Sequence, residues 1–160
     1  EQGTYFLPEL MLAGEILTQI TDLVKPKLTD SLEIERHGKV LIGTVAGDIH
    51  DIGKNIVTFM LDVNGFDVLD LGVDVPAQKF TEAIRDFQPQ VVGLSGFLTL
   101  AFDAMKNTVK AITEAGLRDS IKIMIGGGQM DEQVRQHTGA DAYGKDAVMA
   151  VKLAKDWIGG

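Results

Sequence analysis

The chain has 160 residues, with 23 acidic against 15 basic side chains and a formal net charge of −8. This length allows one α/β domain with one main core and an additional helix or two. The acidic balance argues against nucleic acid, and no apolar run reaches the roughly 20 residues that a membrane-spanning helix needs. The absence of cysteine excludes disulfides and thiolate metal sites. We therefore expect a cytoplasmic protein that binds neither nucleic acid nor membrane.

The first segment of the chain has the pattern of an amphipathic helix. Apolar residues recur at steps of three and four between residues 7 and 25, and Pro8 suits a first helical turn. A polar, charged stretch follows Pro26, which is typical of a linker. We therefore divide the chain into a helical segment over residues 1–30 and an α/β domain over residues 38–160. Because the chain starts Glu-Gln-Gly, we also expect it to be a piece of a longer protein.

Beyond Gly38, short apolar runs alternate with longer helical patterns, which is typical of a parallel sheet covered on both faces. The predicted strands are residues 40–45, 66–71, 91–95, 121–125 and 140–143. The predicted helices are residues 52–63, 77–87, 100–115, 131–137 and 146–158. Five β/α units predict a flavodoxin-like fold, in which ligands bind at the carboxyl ends of the strands. The loops at that edge are residues 46–51, 96–99 and 126–129.

The loop after the first strand carries the best candidate for a metal ligand. Asp48 and His50 are two positions apart, so both side chains point the same way if the loop is extended. A metal-bound imidazole usually donates its other ring nitrogen to a carboxylate, and Asp48 is placed for that role. Gly47 and Gly53 permit the close backbone approach that a large ligand requires.

Three other interpretations of this loop stay open on its residues alone. A phosphate-binding Walker loop is disfavoured because five residues separate Gly47 from Gly53 and Asn55 replaces Ser or Thr. A zinc or iron site could use Asp48, His50 and Asp51, but a second histidine is missing nearby. The third interpretation is structural, with His50 in an ordinary loop and both carboxylates capping the next helix.

The sequence resembles the cobalamin-binding module of methionine synthase and of the small corrinoid proteins of methyltransferase systems. Its fingerprint is Asp-x-His-x-x-Gly, then Ser-x-Leu, then Gly-Gly. Asp48, His50 and Gly53 match the first element, and Ser95-Gly96-Phe97 matches the second except that Phe97 replaces Leu. The third element is Gly126-Gly127, followed by Gly128. Each element ends a predicted strand, and the resemblance runs from the first residues to about Ala147.

The resemblance implies that cobalamin binds base-off and His-on. His50 would replace the cofactor's own base on cobalt, and the nucleotide tail would enter a slot between the first and third strands. Ser95 would bind the tail base, Thr99 the corrin rim, and Gly126 to Gly128 would make room for sugar and phosphate. Tyr143 to Ala147 would close the tail pocket, although Tyr143 is equally well explained as a packing aromatic. The remaining expected cofactor contacts are Gly47, Ile49, Asp51, Ile52, Gly53, Phe97 and Leu98.

The N-terminal helix favours methyl transfer among the cobalamin chemistries. Phe6-Leu7-Pro8-Glu9 is similar to the start of the last helix of the cap bundle in methyl-transfer members. By that resemblance Phe6 and Ile16 would cover the methyl-bearing face, with residues 1–30 as a remnant of the cap. On periodicity alone, an amphipathic helix that packs on its own domain is nearly as good an explanation of this segment.

The function implied by the resemblance is a methyl carrier that cycles between a Co(I) corrinoid and methylcobalamin. Asp48 and His50 would form its proton and ligand switch. The implied partners are a donor-specific methyltransferase, a methyltransferase whose acceptor is tetrahydrofolate or a coenzyme, and a reductive activator. The chain alone would then be a component of an enzyme system. The alternatives are the small subunit of an adenosylcobalamin mutase, a non-enzymatic cobalamin sensor and a cofactor-free receiver-like domain.

Overall fold

The computed structural model describes residues 37–159 together with seven positions of the N-terminal segment, Leu12, Glu15, Ile16, Gln19, Ile20, Leu23 and Val24. The chain divides into two compact units, residues 1–34 and 35–160. The seven described N-terminal positions are helical, as their spacing predicts. Within that helix the Gln19 side-chain amide donates to Glu15 Oε1 at 3.0 Å, one turn away.

The second unit is built on a five-stranded parallel sheet in the order β2-β1-β3-β4-β5. The strands are β1 (Gly38–Thr44), β2 (Phe66–Asp70), β3 (Val91–Gly96), β4 (Lys122–Gly127) and β5 (Ala142–Tyr143). This order is that of the flavodoxin-like fold, which the alternating pattern predicts. The direction in which strands are added reverses at β1, so the carboxyl ends of β1 and β3 border the crevice where such folds bind ligands.

Helices cover both faces of this sheet. They are α1 (Ile52–Val63), α2 (Ala77–Phe87), α3 (Leu100–Glu114), α4 (Glu132–Thr138) and α5 (Ala147–Ile158). A core of buried aliphatic and aromatic side chains joins the sheet to α2, α3 and α4, with Phe80 and Met105 fully buried. A smaller core joins the opposite face to α1 and α5 through Leu61 and Ala154. The expected two-sided α/β arrangement is confirmed.

The fourth strand is longer than its apolar run predicts. The sequence places residues 126–129 in a loop, but Gly126 and Gly127 continue β4 by pairing with Ser95 and Gly96. Glycine has low intrinsic strand preference, so only the neighbouring strand reveals this extension. A short 3₁₀ helix, Arg118–Ser120, also precedes β4. Across the part of the chain that the structure describes, the helices are too short or too polar to cross a membrane.

Candidate functional site

The loop after β1 holds His50 against Asp48 at the carboxyl edge of the sheet. His50 Nδ1 lies 2.7 Å from Asp48 Oδ1, and the same oxygen accepts the backbone N–H of His50 at 2.9 Å. The His50 side chain is 49% exposed, whereas that of Asp48 is 1% exposed. Because the carboxylate is an acceptor, Nδ1 carries the proton of the neutral ring. Nε2 is therefore the nitrogen that is left to bind a metal.

The Asp48 carboxylate is fixed from two loops. Its second oxygen, Oδ2, accepts the backbone N–H groups of Phe97 and Leu98 at 2.7 and 3.1 Å. Burial alone raises the pKa of Asp48, but the hydrogen bonds from the His50, Leu98 and Phe97 backbones and from the His50 ring outweigh it and lower the pKa to about 2. Asp48 is thus an ionised acceptor near neutral pH in this structure, and its part in a proton and ligand switch stays a prediction.

Two further side chains hold the same loop. Asp74 Oδ1 accepts the Gly47 N–H at 2.7 Å, and the Asp74 N–H donates to the Asp48 carbonyl at 3.0 Å. Asp74 has a φ of 51°, which is uncommon for a residue other than glycine. The Thr44 hydroxyl donates to the His50 carbonyl at 3.2 Å. The position of His50 therefore depends on the ends of β1, β2 and β3 together.

These contacts bear on the other interpretations of the loop. The first turn of α1 receives no side-chain cap from Asp51, whose carboxylate instead accepts the Asn55 amide at 3.2 Å. Asp48 likewise bonds to loop backbone. Among the described residues, no three histidine, aspartate, glutamate or cysteine side chains are arranged to hold a metal ion by themselves. Helix capping and a protein-only zinc site are therefore not supported.

Exposed apolar side chains lie in the two loops that meet at Asp48. Ile49, Phe97 and Leu98 are exposed to 72%, 52% and 42%. The rings of Phe97 and His50 are tilted by 32° with centroids 4.7 Å apart. Exposed apolar groups clustered around a polar ligand atom are typical of a binding surface. A flat apolar ligand that presents a metal to His50 suits this surface.

A cavity of about 540 Å³ opens between α1 and α5 and runs down onto β1, β3 and β4. Ser95 stands in register with Thr44 and Gly126, and two residues deeper Gly93 stands in register with Ile42 and Met124. Alternate residues of a strand face the same side, so the small residues Gly93, Ser95 and Gly126 leave the slot open. Its volume is in the range of a small-molecule site.

Two glycines of this slot, Gly53 and Gly126, stand next to empty space. A Cβ added at Gly53 would meet no atom within 4 Å, and one at Gly126 would meet only the Gly144 carbonyl, at 3.8 Å. Neither glycine has a positive φ, so the backbone does not require glycine at either position. Space reserved for a ligand accounts for both. Since this slot reaches Gly53, three residues along the chain from His50, the residues fit a cofactor with a metal at one end and a long tail.

Gly127 and Gly128 have a structural role that the resemblance does not assign to them. A Cβ at Gly127, where φ is 129°, would lie 2.0 Å from the Gly96 carbonyl oxygen. A Cβ at Gly128 would lie 2.6 Å from the Phe97 carbonyl oxygen. Gly127 allows the ends of β3 and β4 to approach each other, Gly128 allows the loops that follow them to touch, and Gly126 and Gly127 line the slot. The expected space for a tail therefore rests chiefly on Gly126.

Other predicted site residues lie in different surroundings. Tyr143 packs against the core on the α2 and α3 face, so it is a packing aromatic, and the adjacent residues 144–148 line the cavity instead. Thr99 is exposed at the start of α3, next to the loop that binds Asp48. Ile52 is 44% exposed at the start of α1. Phe6 lies outside the described residues, and the role of Ile16 over a cofactor stays a prediction.

The sequence reasoning missed several residues of the site. Lys54 is 4% exposed, lines the cavity, and bonds through its Nζ to Asp70 and, at 2.7 Å, to Asn55 Oδ1. A lysine placed on a helix pattern is usually solvent-exposed, so the sequence carries no signal for this pair. For Gly93 a signal was present, because glycine inside a strand often marks the close approach of a ligand.

The fold and the site together define a class: an α/β protein with a half-exposed imidazole and an open slot at the switch point of its sheet. The chain belongs to the B12-binding domain family, which matches residues 38–152. The resemblance to cobalamin-binding domains is therefore confirmed, and the cofactor is a corrinoid.

Similar proteins agree with this assignment. The chain is 36% identical to dimethylamine corrinoid protein 3 of Methanosarcina mazei over 99% of this chain and 95% of that protein. It is similar to a crystal structure of a cobalamin-binding protein from Desulfitobacterium hafniense, at 43% identity and a TM-score of 0.75 over 98% of this chain and 73% of the other. It is also similar to a chain of the methanol:cobalamin methyltransferase complex of Methanosarcina barkeri, at 31% identity and a TM-score of 0.74, over 99% of this chain and 60% of the other.

Proposed function

We propose that this chain is the methyl-carrying corrinoid component of a methyltransferase system, with the corrinoid bound base-off and with His50 as the lower axial ligand. The observation that carries the proposal is the His50 ring held through Nδ1 by the buried Asp48, at the same sheet edge as an open slot that reaches Gly53. A relative named as a dimethylamine corrinoid protein, matched over nearly its whole length, supports the methyl-carrying role.

The bound corrinoid would supply a cobalt centre that accepts and releases a methyl group. The chain would supply the axial ligand and the carboxylate that sets the ligand's tautomer and orientation. His50 presents Nε2 to the metal, while Asp48 keeps the proton on Nδ1 and fixes the ring plane. A carboxylate partner also raises the basicity of the imidazole, which strengthens it as a ligand. The apolar side chains of Ile49, Phe97 and Leu98 would exclude water from the lower face of the corrin.

The slot between α1 and α5 would hold the nucleotide tail that leaves cobalt when His50 binds. Gly53 and Gly126 leave space along its walls, and Ser95 offers a hydroxyl to the tail base. With the tail stored there, the opposite face of the corrin stays available for partners. By analogy with the methanol:cobalamin methyltransferase complex, a donor-specific methyltransferase is the proposed first partner. The proposal also includes a methyl-accepting methyltransferase and a reductive activator.

Reconstitution with cobalamin and electron paramagnetic resonance of the Co(II) form tests the ligand assignment. We expect splitting from one histidine nitrogen in the native protein and its loss in His50→Ala. His137→Ala is the matched control, because His137 is exposed and pairs with Asp103 on the helices α4 and α3. Labelling the protein with ¹⁵N distinguishes a histidine nitrogen from the nitrogen of the cofactor's own base, and splitting from a protein nitrogen that survives in His50→Ala would contradict the proposal. A light-sensitive absorption spectrum after methylation would support the methyl-carrying role.

A further inference from the structure

The cavity between α1 and α5 offers almost no hydrogen bonds to whatever fills its deep end. Ile42, Met124 and Gly93 form its floor on the sheet, and Val57 and Met60 line it from α1. Met60 lies seven residues along the helix from Gly53, which is about 10 Å deeper at 1.5 Å per residue. Apolar groups therefore surround the deep end on both the sheet side and the helix side.

The polar groups of the cavity lie elsewhere or are already paired. Lys145 and Asp146 are exposed at the start of α5, near the mouth. Lys54 donates to Asp70 and Asn55. The backbone groups of the central strands bond to neighbouring strands, and those of α1 to the helix. Among the lining residues, all of which the structure describes, Ser95 is the one with a side-chain hydroxyl.

Corrinoids differ in the base that ends their nucleotide tail. A benzimidazole has two ring nitrogens and otherwise C–H edges, whereas adenine adds an amino group and two further ring nitrogens. One hydroxyl satisfies a benzimidazole nitrogen but leaves the additional polar groups of adenine buried without partners. A buried polar group without a hydrogen bond lowers affinity by about tenfold or more.

We propose that this cavity selects corrinoids by their lower base, and that it takes a benzimidazole in preference to a purine. The inference rests on the proposed function, since it requires the tail to occupy the slot. Selection would come from the apolar floor at Met60 and Met124 and from the single hydroxyl of Ser95. The chain would thereby be matched to an organism or pathway that makes or imports benzimidazole corrinoids.

Equilibrium binding of the apoprotein to cobalamin and to its adenine-bearing analogue tests the preference. Each affinity is read from the change in the corrinoid absorption spectrum and corrected for the base-off fraction of the free corrinoid. We expect the dissociation constant of the adenine analogue to be at least about tenfold larger. Equal dissociation constants would overturn the inference.

A variant at the deep end sharpens the test. Met60→Gln adds an amide that can pair with adenine, and it should reduce the ratio of the two dissociation constants by about tenfold. Met60→Leu is the matched control and should leave the ratio within about twofold. Both ratios use the same two corrinoids, so differences between the free ligands cancel. An unchanged ratio in folded Met60→Gln would overturn the inference, and if that variant does not fold, the ratio for the native chain decides.

Cobinamide, which has the corrin but lacks the tail base, separates failure of this inference from failure of the proposed function. Cobalamin that binds no better than cobinamide, without a histidine nitrogen signal, would overturn both. If cobalamin binds with His50 on cobalt but the adenine analogue binds equally well, the lower-base preference alone is overturned.

Discussion

Replacing Asp48 by asparagine tests the central claim about the site, namely that one buried carboxylate joins the two loops. The carboxylate accepts four hydrogen bonds, from the His50 backbone, the His50 ring and the backbones of Phe97 and Leu98. Asparagine has almost the same shape, but its amide nitrogen is a donor. Only two of the four donors can then find an acceptor.

The size of the effect follows from these bonds. Two donors without acceptors cost about 1–3 kcal/mol each, so Asp48→Asn should destabilise the apoprotein by about 2–6 kcal/mol. The lowered pKa has the same hydrogen bonds as its cause and gives a similar figure. A pKa of about 2 against an ordinary 3.8 corresponds to about 2 kcal/mol of stabilisation by the ionised form.

The same pKa sets the pH dependence. A group whose pKa is lower in the folded protein stabilises it above the unfolded-state pKa and ceases to do so as the pH falls through the folded-state value. The stability difference between the native chain and Asp48→Asn should therefore be constant above about pH 5. It should shrink between about pH 4 and pH 2, as Asp48 gains a proton.

Urea unfolding of both apoproteins across this pH range measures the difference. Asp67→Asn is the matched control, since Asp67 is exposed on β2 and its replacement should change the unfolding free energy by less than about 0.5 kcal/mol. A loss below about 1 kcal/mol for Asp48→Asn at pH 7 would refute the reasoning. A difference in unfolding free energy that stays constant down to pH 2 would also refute it, because the ionised carboxylate would then not be the source of that difference.

Two further predictions concern the walls of the slot. Gly126→Val should leave the fold intact but weaken corrinoid binding at least about tenfold, since its side chain enters the cavity. Gly127→Ala should destabilise the protein by more than about 2 kcal/mol because its Cβ meets a carbonyl oxygen. Urea unfolding and spectral titration separate the effect on stability from the effect on binding, and equal stabilities of the two variants would contradict the assignment. Lys54→Met should cost about 1–3 kcal/mol by breaking a mostly buried ion pair, while Lys79→Met at an exposed position should cost less than about 0.5 kcal/mol. A Lys54→Met variant as stable as the Lys79→Met control would show that the pair contributes nothing.

Much of the fold could be predicted because its signals are local. Each strand of the sheet has its own apolar run, and Gly65, Gly116 and Gly139 all adopt positive φ in the turns that end helices. The bounds of α1 and α2 are those that the helical periodicity predicts. The spacing of Asp48 and His50 likewise predicts their hydrogen bond, because two residues of one extended loop can meet without help from the rest of the chain.

The amino-acid sequence by itself therefore determined the alternating α/β architecture, the edge of the sheet that carries the site and the pairing of Asp48 with His50. Only the tertiary structure decided that the Phe97 and Leu98 backbones donate to Asp48 and that Tyr143 packs in the other core. It also decided that Gly126 opens the slot, while Gly127 lets the ends of β3 and β4 approach each other. These outcomes depend on strand register and on contacts between residues up to about 50 positions apart. Local pattern specifies neither, because register and long-range packing are settled by the side chains of all neighbouring elements together.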